Sequence, residues 1–248
     1  MPLKVITIDF WNTLFDSVNG AERNKFRKAI LINEIDKYDI LIKADEFNEV
    51  LSASWEYFND VWLNQMRTPA PYETAEFIWK YLKLPYNEES INNISKKFGE
   101  AILDFSPNLI DGVKEALQKL SLDFKLGIIS DTGFSTGVHL KQLMDRNSIL
   151  QYFSAFSFSD ETGVSKPHPK AYKTILETLN VLPAEALHVG DIEQTDIKGA
   201  KELGMKAIRL SADIVNLESS DYDSDTQADA KAKTWNDVLI AIKKFNSQ

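Results

Sequence analysis

Two hydrophobic rhythms divide the chain. Short, largely apolar runs at 5–8, 124–129, 155–158, 186–189 and 206–210 read as strands buried on both faces of a parallel sheet. The first of them, Val5-Ile6-Thr7-Ile8, stops abruptly at Asp9 and is followed by a compact polar turn. Such an ending delivers a carboxylate to the carboxyl edge of a sheet, where ligands bind in open α/β folds.

From Asn19 to about Phe105 the spacing is helical instead. Phe47, Val50, Leu51, Ser54, Phe58, Val61 and Trp62 share one face, as do Ile91, Ile94, Phe98, Ala101 and Ile102. Ala75, Ile78, Trp79 and Leu82 form a third stripe closed by Pro85, and a further helix is predicted over 21–38. No strand is predicted here, so an all-helical block interrupts the chain just after its first strand.

Beyond Ser106-Pro107 strands and helices alternate. Asp111 is expected to cap a helix carrying Val113, Ala116, Leu117 and Leu120. Further helices are predicted at 137–145, 169–179 and 195–203, the last ended by a left-handed cap at Gly204. Alternation of this kind gives a Rossmann-like three-layer α/β core built on a parallel sheet. The expected boundaries are 1–16 and 106–248 for the core and 17–105 for an inserted helical domain. The stretch 211–229 is polar and acidic, 230–233 is a candidate edge strand, and 235–245 a closing helix. Asp221, Asp223 and Asp225 alternate as in a calcium loop, but Thr226 and Ala232 stand where such a loop requires glycine and glutamate, so a solvated loop is expected.

Composition narrows the function. With 248 residues, 44% hydrophobic, the chain can fill a large core, alone or with an insertion. The absence of cysteine excludes disulfides and thiolate metal sites and fits a reducing compartment. No apolar run nears the roughly 20 residues of a membrane span, and the N-terminus reads as a strand rather than a signal peptide, so a cytoplasmic protein without membrane partners is expected. The net charge of −9 argues against a nucleic-acid surface. An anionic small molecule would have to be met by a few local cations or a bound metal, which gives Lys166 its interest.

Four polar features follow the apolar runs: Asp9; Ser130; Lys166 within Gly163-Val164-Ser165-Lys166-Pro167; and Gly190-Asp191-Ile192-Glu193-Gln194-Thr195-Asp196. Singly, each has an ordinary alternative as a turn former, a helix cap or a solvated charge. In this order the four together resemble the motifs of the haloacid dehalogenase superfamily, most of whose members are phosphatases acting through an aspartyl-phosphate. The resemblance implies that 17–105 is a C1-type cap. It makes Asp9 the nucleophile and a ligand of Mg²⁺ together with Asp191 and the Trp11 backbone carbonyl. Lys166 would then neutralise and orient the phosphoryl group, Ser130 would donate to it, and Asp196 would stand behind, orienting Lys166 or a water on the metal. Asn12, Asp16 and Asp131 are further candidates for substrate contact.

One position departs from the family's pattern. Most of its phosphatases carry a second aspartate two residues after the nucleophile, as general acid and base; here it is Trp11, with Asn12 where glycine is usual. Indole nitrogen donates but does not titrate in this range. Positioned proton transfer is typically worth about 10²- to 10⁴-fold, most for poor leaving groups. Three readings stay open. The first is a Mg²⁺-dependent phosphohydrolase of a small phosphorylated metabolite that prefers good leaving groups or borrows Asp16, Asp131, Glu161 or a cap residue as its acid. The second is a 2-haloacid dehalogenase, whose branch has an aromatic residue at this position and whose halide leaves without a proton; Arg23, Arg27 or Arg67 could cradle it, although arginines on such a helix are expected on a solvated face. The third is a weak or inactive member that binds a phosphorylated ligand or a protein partner. Retention of Asp191 and Asp196, which halide displacement does not need, favours the first. Trp55, Trp62 and Trp79 are expected in the cap core and His168 in an exposed loop. The sequence leaves the oligomeric state open, a homodimer included.

Overall fold

A computed structural model describes residues 2–38, 40, 42–211 and 226–246. The polar stretch holding Asp221, Asp223 and Asp225 lies outside the described residues. Six parallel strands form one sheet in the order β3-β2-β1-β4-β5-β6, with β1 at Val5–Ile8, β2 at Lys125–Ser130, β3 at Phe153–Phe158, β4 at Ala186–Gly190, β5 at Lys206–Leu210 and β6 at Ala230–Ala232. The order reverses beside β1, which pairs with β2 on one side and β4 on the other. A reversal of this kind opens a crevice at the carboxyl ends of the strands.

Ten helices accompany the described strands: α1 Gly20–Ile35, α2 Ala44–Gln65, α3 Pro71–Tyr81, α4 Glu88–Asp104, α5 Val113–Asp123, α6 Gly137–Arg146, α7 Ser159–Thr162, α8 Pro169–Leu179, α9 Lys198–Glu202 and α10 Trp235–Asn246. Side chains alternate across a strand, so Ile6 and Ile8 of β1 face α5, α6 and α10, whereas Val5 faces α8 and α9. These are the three layers of a Rossmann-like α/β fold. Helices α1 to α4 pack on one another around a cluster of their own that includes Leu31, Phe47, Ile78, Trp79, Ile91, Ile94 and Phe98. No described helix is long and apolar enough to cross a membrane.

Two local expectations need correction. Asp111 does not cap α5; Gly112 does, at φ 80°, a left-handed geometry that glycine adopts without penalty and an aspartate side chain is not needed for. The predicted 195–203 helix is instead a π-helical turn at Glu193–Ile197 running into the short α9. Such widened turns often mark functional sites. Gly204 does end α9 in the left-handed region, at φ 82°.

Candidate active site

The chain turns sharply after β1. The Asp9 amide still donates to the Val189 carbonyl at 2.9 Å, so its carboxylate stands at the last rung between β1 and β4. Asn12 sits at φ 53°. Asparagine is among the few residues that tolerate this left-handed conformation, which accounts for its replacing glycine in the turn. Its amide donates to the Asp191 carboxylate at 3.4 Å while its carbonyl accepts from the Ser17 hydroxyl at 2.9 Å. Trp235 of α10 fastens the same turn from below, its indole donating to the Thr13 carbonyl at 2.9 Å.

Asp9, Asp191 and Asp196 bring carboxylate oxygens within 4.8 Å of one another. Lys166 reaches into this cluster from the loop before α8 and ion-pairs with Asp9 and, at 2.7 Å, with Asp196. The loop is anchored by the Ser165 amide donating to the Met66 carbonyl and the Lys166 amide donating to Asp131. Asp196 is the most heavily bonded acid: besides Lys166 it receives His188 Nε2 at 3.1 Å and the Ile192 amide at 3.0 Å. Burial opposes its charge, but the Lys166 ammonium and the His188 hydrogen bond outweigh burial and hold it well below the usual carboxylate range. His188 is wholly buried, and burial pulls its imidazole down toward the neutral form. A neutral ring satisfies both neighbours only as the Nε2–H tautomer, donating to Asp196 and accepting from the Thr7 hydroxyl, 2.9 Å from Nδ1. A Cβ on Gly190 would lie 2.6 Å from the Asp196 Cβ, so only glycine lets Asp196 fold beneath the strand end.

The cluster is short of positive charge. Burial pushes the Asp9 carboxyl well up despite Lys166, and burial followed by the Asp196 charge pushes Asp191 up to about 7. Lys166 is held well above its ordinary value because Asp196 and Asp9 outweigh the burial that would discharge it. Three crowded carboxylates against one ammonium, all oxygen donors, fit a hard divalent cation such as Mg²⁺. Among the described residues Asp9 accepts a side-chain hydrogen bond from Lys166 alone and Asp191 from Asn12 alone, which leaves lone pairs for it, and no hydrogen bond ends on the Trp11 carbonyl. Asp196 is saturated by its donors, which suits it to holding Lys166.

These groups form the floor of a cavity of about 320 Å³ whose wall comes from α1, α2 and the loop after β2. Asp131 lies in that wall, accepting from the Lys166 amide at 2.9 Å and from the Trp62 indole at 3.0 Å. Burial raises its carboxyl above the ordinary value against the pull of Lys166.

Several sequence expectations are not met here. Ser130 is buried at the end of β2 with its hydroxyl donating to the Asp131 carbonyl at 3.4 Å, and it is not part of the cavity wall. Asp16 is not either: it accepts from the Asn108 amide at 2.9 Å and the Val18 amide at 3.1 Å, clasping the two crossings between sheet and helical block. Glu161 pairs with Lys141 and Arg67 with Glu73, both outside the wall. Trp79 is core as expected, but Trp55 and Trp62 line the cavity. His168 is half-buried, and its ring caps α8 by accepting from the Lys170 amide. Arg23 and Arg27 are not on a solvated face at all but buried in the cavity wall. The overlooked signal is their spacing: with Leu31 and Ile35 they continue one i, i+4 stripe, the buried face of α1.

Residues 35–210 match the sequence profile of the haloacid dehalogenase-like hydrolases. Over 210 residues the chain is 30% identical to a glyceraldehyde 3-phosphate phosphatase of Pyrococcus furiosus, covering 83% of this chain and 80% of that protein. The chain belongs to the haloacid dehalogenase-like hydrolase family. Two solved structures share the fold of this haloacid dehalogenase-like chain end to end. A 2-haloacid dehalogenase from Pseudomonas syringae superposes with a TM-score of 0.70 at 20% identity, covering 98% of this chain and 99% of that one. A haloacid dehalogenase-like hydrolase from Bacillus subtilis, solved with magnesium, gives 0.63 at 14% identity with coverage of 98% and 99%.

Proposed function

We propose that the protein is a Mg²⁺-dependent phosphohydrolase of a small phosphorylated metabolite, acting in the cytoplasm through an aspartyl-phosphate on Asp9. In this reading 1–16 and 106–248 form the catalytic core and 17–105 a C1-type cap. The observation that carries it is the meeting of Asp9, Lys166 and Asp191 on the floor of one cavity, with Asp196 locked behind them. The glyceraldehyde 3-phosphate phosphatase relative supports phosphate chemistry over halide chemistry.

Mg²⁺ held by Asp9, Asp191 and the Trp11 carbonyl would neutralise phosphoryl charge as a Lewis acid. The Asp9 carboxylate attacks phosphorus, the bond to the leaving oxygen breaks, and water then hydrolyses the acyl phosphate. Lys166 keeps its proton throughout and holds the nucleophile against the phosphoryl oxygens. Trp11 supplies no proton. Of the acids that could replace the missing one, Asp131 is in the cavity wall and has a carboxyl raised by burial, so it serves as proton donor to the leaving oxygen. The aromatic Trp11 and the nearby arginines favour a second reading, displacement of halide from a 2-haloacid.

Phosphate release from a panel of phosphoesters, with Mg²⁺ and with chelator, is the test, run beside halide release from 2-chloropropionate. The expected result is metal-dependent phosphate release that falls by about 10³-fold or more in Asp9→Asn. Metal-independent halide release would replace this reading with the second. Activity in neither assay would leave a binding protein.

A further inference from the structure

The wall that α1 contributes carries charge the floor does not use. Arg23 and Arg27, one helical turn apart, are 7% and 6% exposed and form no ion pair with a carboxylate among the described residues. Arg23 is occupied with main chain: its guanidinium donates to the carbonyls of Val18, Phe105 and, at 3.4 Å, Ser17. Arg27 is not. Its Nε donates to the Phe98 carbonyl at 3.4 Å and one terminal nitrogen to Asn24 at 3.1 Å, which engages two of the five N–H groups a guanidinium carries. Its Cζ lies over the Phe134 ring, 4.5 Å from the ring centre. A stacked, buried cation without a counter-ion is unfavourable unless something completes it. The strain is visible in the group itself: burial and the Arg23 charge pull the Arg27 guanidinium down to about 9, with no carboxylate offsetting them.

We propose that the substrate carries a second anionic group, a carboxylate or a second phosphate, and that Arg27, held in place by Phe134 and backed by Arg23, is the specificity residue that binds it. This rests on the phosphohydrolase reading for what the floor does, but not for what the wall binds. Planar guanidinium donors match both anions, and an aromatic backing leaves one edge of the fork free for a bidentate contact. A leaving group ending in hydroxyl or aldehyde would leave the cation uncompensated. The site therefore selects acidic phosphometabolites over neutral ones.

Binding of inert analogues tests this without requiring turnover. Phosphonates with two- and three-carbon chains ending in carboxylate, in phosphonate or in hydroxyl are titrated calorimetrically into the Mg²⁺-loaded full chain and its Arg27→Gln and Arg27→Lys variants. One anionic ending should bind about 10- to 100-fold more tightly than the hydroxyl ending of equal length, the range expected of a hydrogen bond to a charged group. Which ending does so identifies the anion. The preference should collapse toward one in Arg27→Gln and return in part in Arg27→Lys. Equal affinities for charged and neutral endings in the wild type would overturn the proposal. So would a preference that survives in Arg27→Gln, since Arg27 would then only brace α1 against α4. Hydrolysis of p-nitrophenyl phosphate, which has no second anion, reports separately on the floor: turnover there without anionic preference sinks this inference alone, and preference without turnover sinks the phosphohydrolase alone.

Discussion

At the sheet edge, Asp9, Asp191 and Asp196 crowd around one ammonium, Lys166, whereas on the wall supplied by α1 two guanidiniums form no ion pair with a carboxylate among the described residues. The floor has a surplus of negative charge and the wall a surplus of positive charge, inside one cavity of about 320 Å³. Each surplus is costly when dry. A ligand with two anionic groups, bound with a divalent cation as proposed, would relieve both, the metal balancing the floor and the ligand's distal group the wall. The two regions also differ in how their charges are held. Asp196 and Lys166 are locked by several partners each, while Arg27 keeps donors free.

Removing the central floor charge breaks the contrast most severely. Lys166→Met leaves Asp9 and Asp196 facing each other with no counter-ion, and deleting one partner of a buried pair typically costs about 3–5 kcal/mol. Urea denaturation of the metal-free variant should show a loss of that order. A loss near zero would mean that the floor is wetter than its burial implies.

The floor was legible in the sequence and the wall was not, for a physical reason. Asp9 and Asp191 each follow a strand directly, and strands of a parallel sheet all end at the same edge, where the pairing of β1 with β4 sets the two side by side. Lys166, in the loop beyond β3 and α7, and Asp196, in the π-helical turn after β4, inherit the same placement. Ser130 also ends its strand, yet its hydroxyl turns to the Asp131 carbonyl, a rotamer choice that no spacing encodes. Asp16 failed differently: a carboxylate between two segments serves as well to clasp them as to meet a ligand, and Asn108 is 92 residues away in the chain. Arg23 and Arg27 lie on the same i, i+4 stripe as Leu31 and Ile35, yet the long stem of an arginine ordinarily lets its charge reach solvent from the edge of such a stripe, and the packing of α1 against its neighbours decides otherwise. Trp62 is the same case in aromatic form.

The electrostatics of the floor can be read from pH. Asp191 is pushed up to about 7 in the folded protein, against about 3.9 for an unperturbed aspartate. A carboxyl whose folded value is raised binds its proton more tightly when folded, so its contribution to stability is full below about pH 4 and is lost as pH rises through 7. Metal-free protein should therefore lose thermal stability across that window, and Asp191→Asn should flatten the profile relative to wild type. Mg²⁺ bound at Asp191 as proposed would take the place of that proton, so the rise in Tm it produces should grow from pH 5.5 to 8. A Mg²⁺ effect independent of pH would remove Asp191 from the metal site.

Gly190→Ala probes how tightly Asp196 is folded beneath β4. The added methyl would displace the Asp196 side chain, overpacking that typically costs about 1–3 kcal/mol. Since Asp196 holds Lys166 at 2.7 Å, turnover should fall along with stability. Stability lost with kcat/KM intact would show that Lys166 is positioned by Asp9 alone.

The smallest expected effect lies where floor and wall touch. Trp62 comes from α2, in the helical block, and its indole donates to Asp131, in the core, at 3.0 Å. The same carboxylate accepts from the Lys166 amide through its other oxygen, so one acid ties the wall to the loop that carries the ammonium. Trp62→Phe keeps most of the aromatic surface and removes only this donor. A hydrogen bond to a charged group contributes about 1.5–3 kcal/mol, less where water can replace the donor as it can at a cavity surface. The stability change should accordingly be about 1 kcal/mol or below. The kinetic change is more informative, because an Asp131 carboxyl freed from one donor titrates higher. If Asp131 protonates the leaving oxygen, the alkaline limb of the kcat profile should move to higher pH in Trp62→Phe for alkyl phosphates and stay in place for p-nitrophenyl phosphate, whose leaving group needs no proton. Identical shifts for both substrates would assign that limb to the floor, and Asp131 would be left as a strut between the two regions.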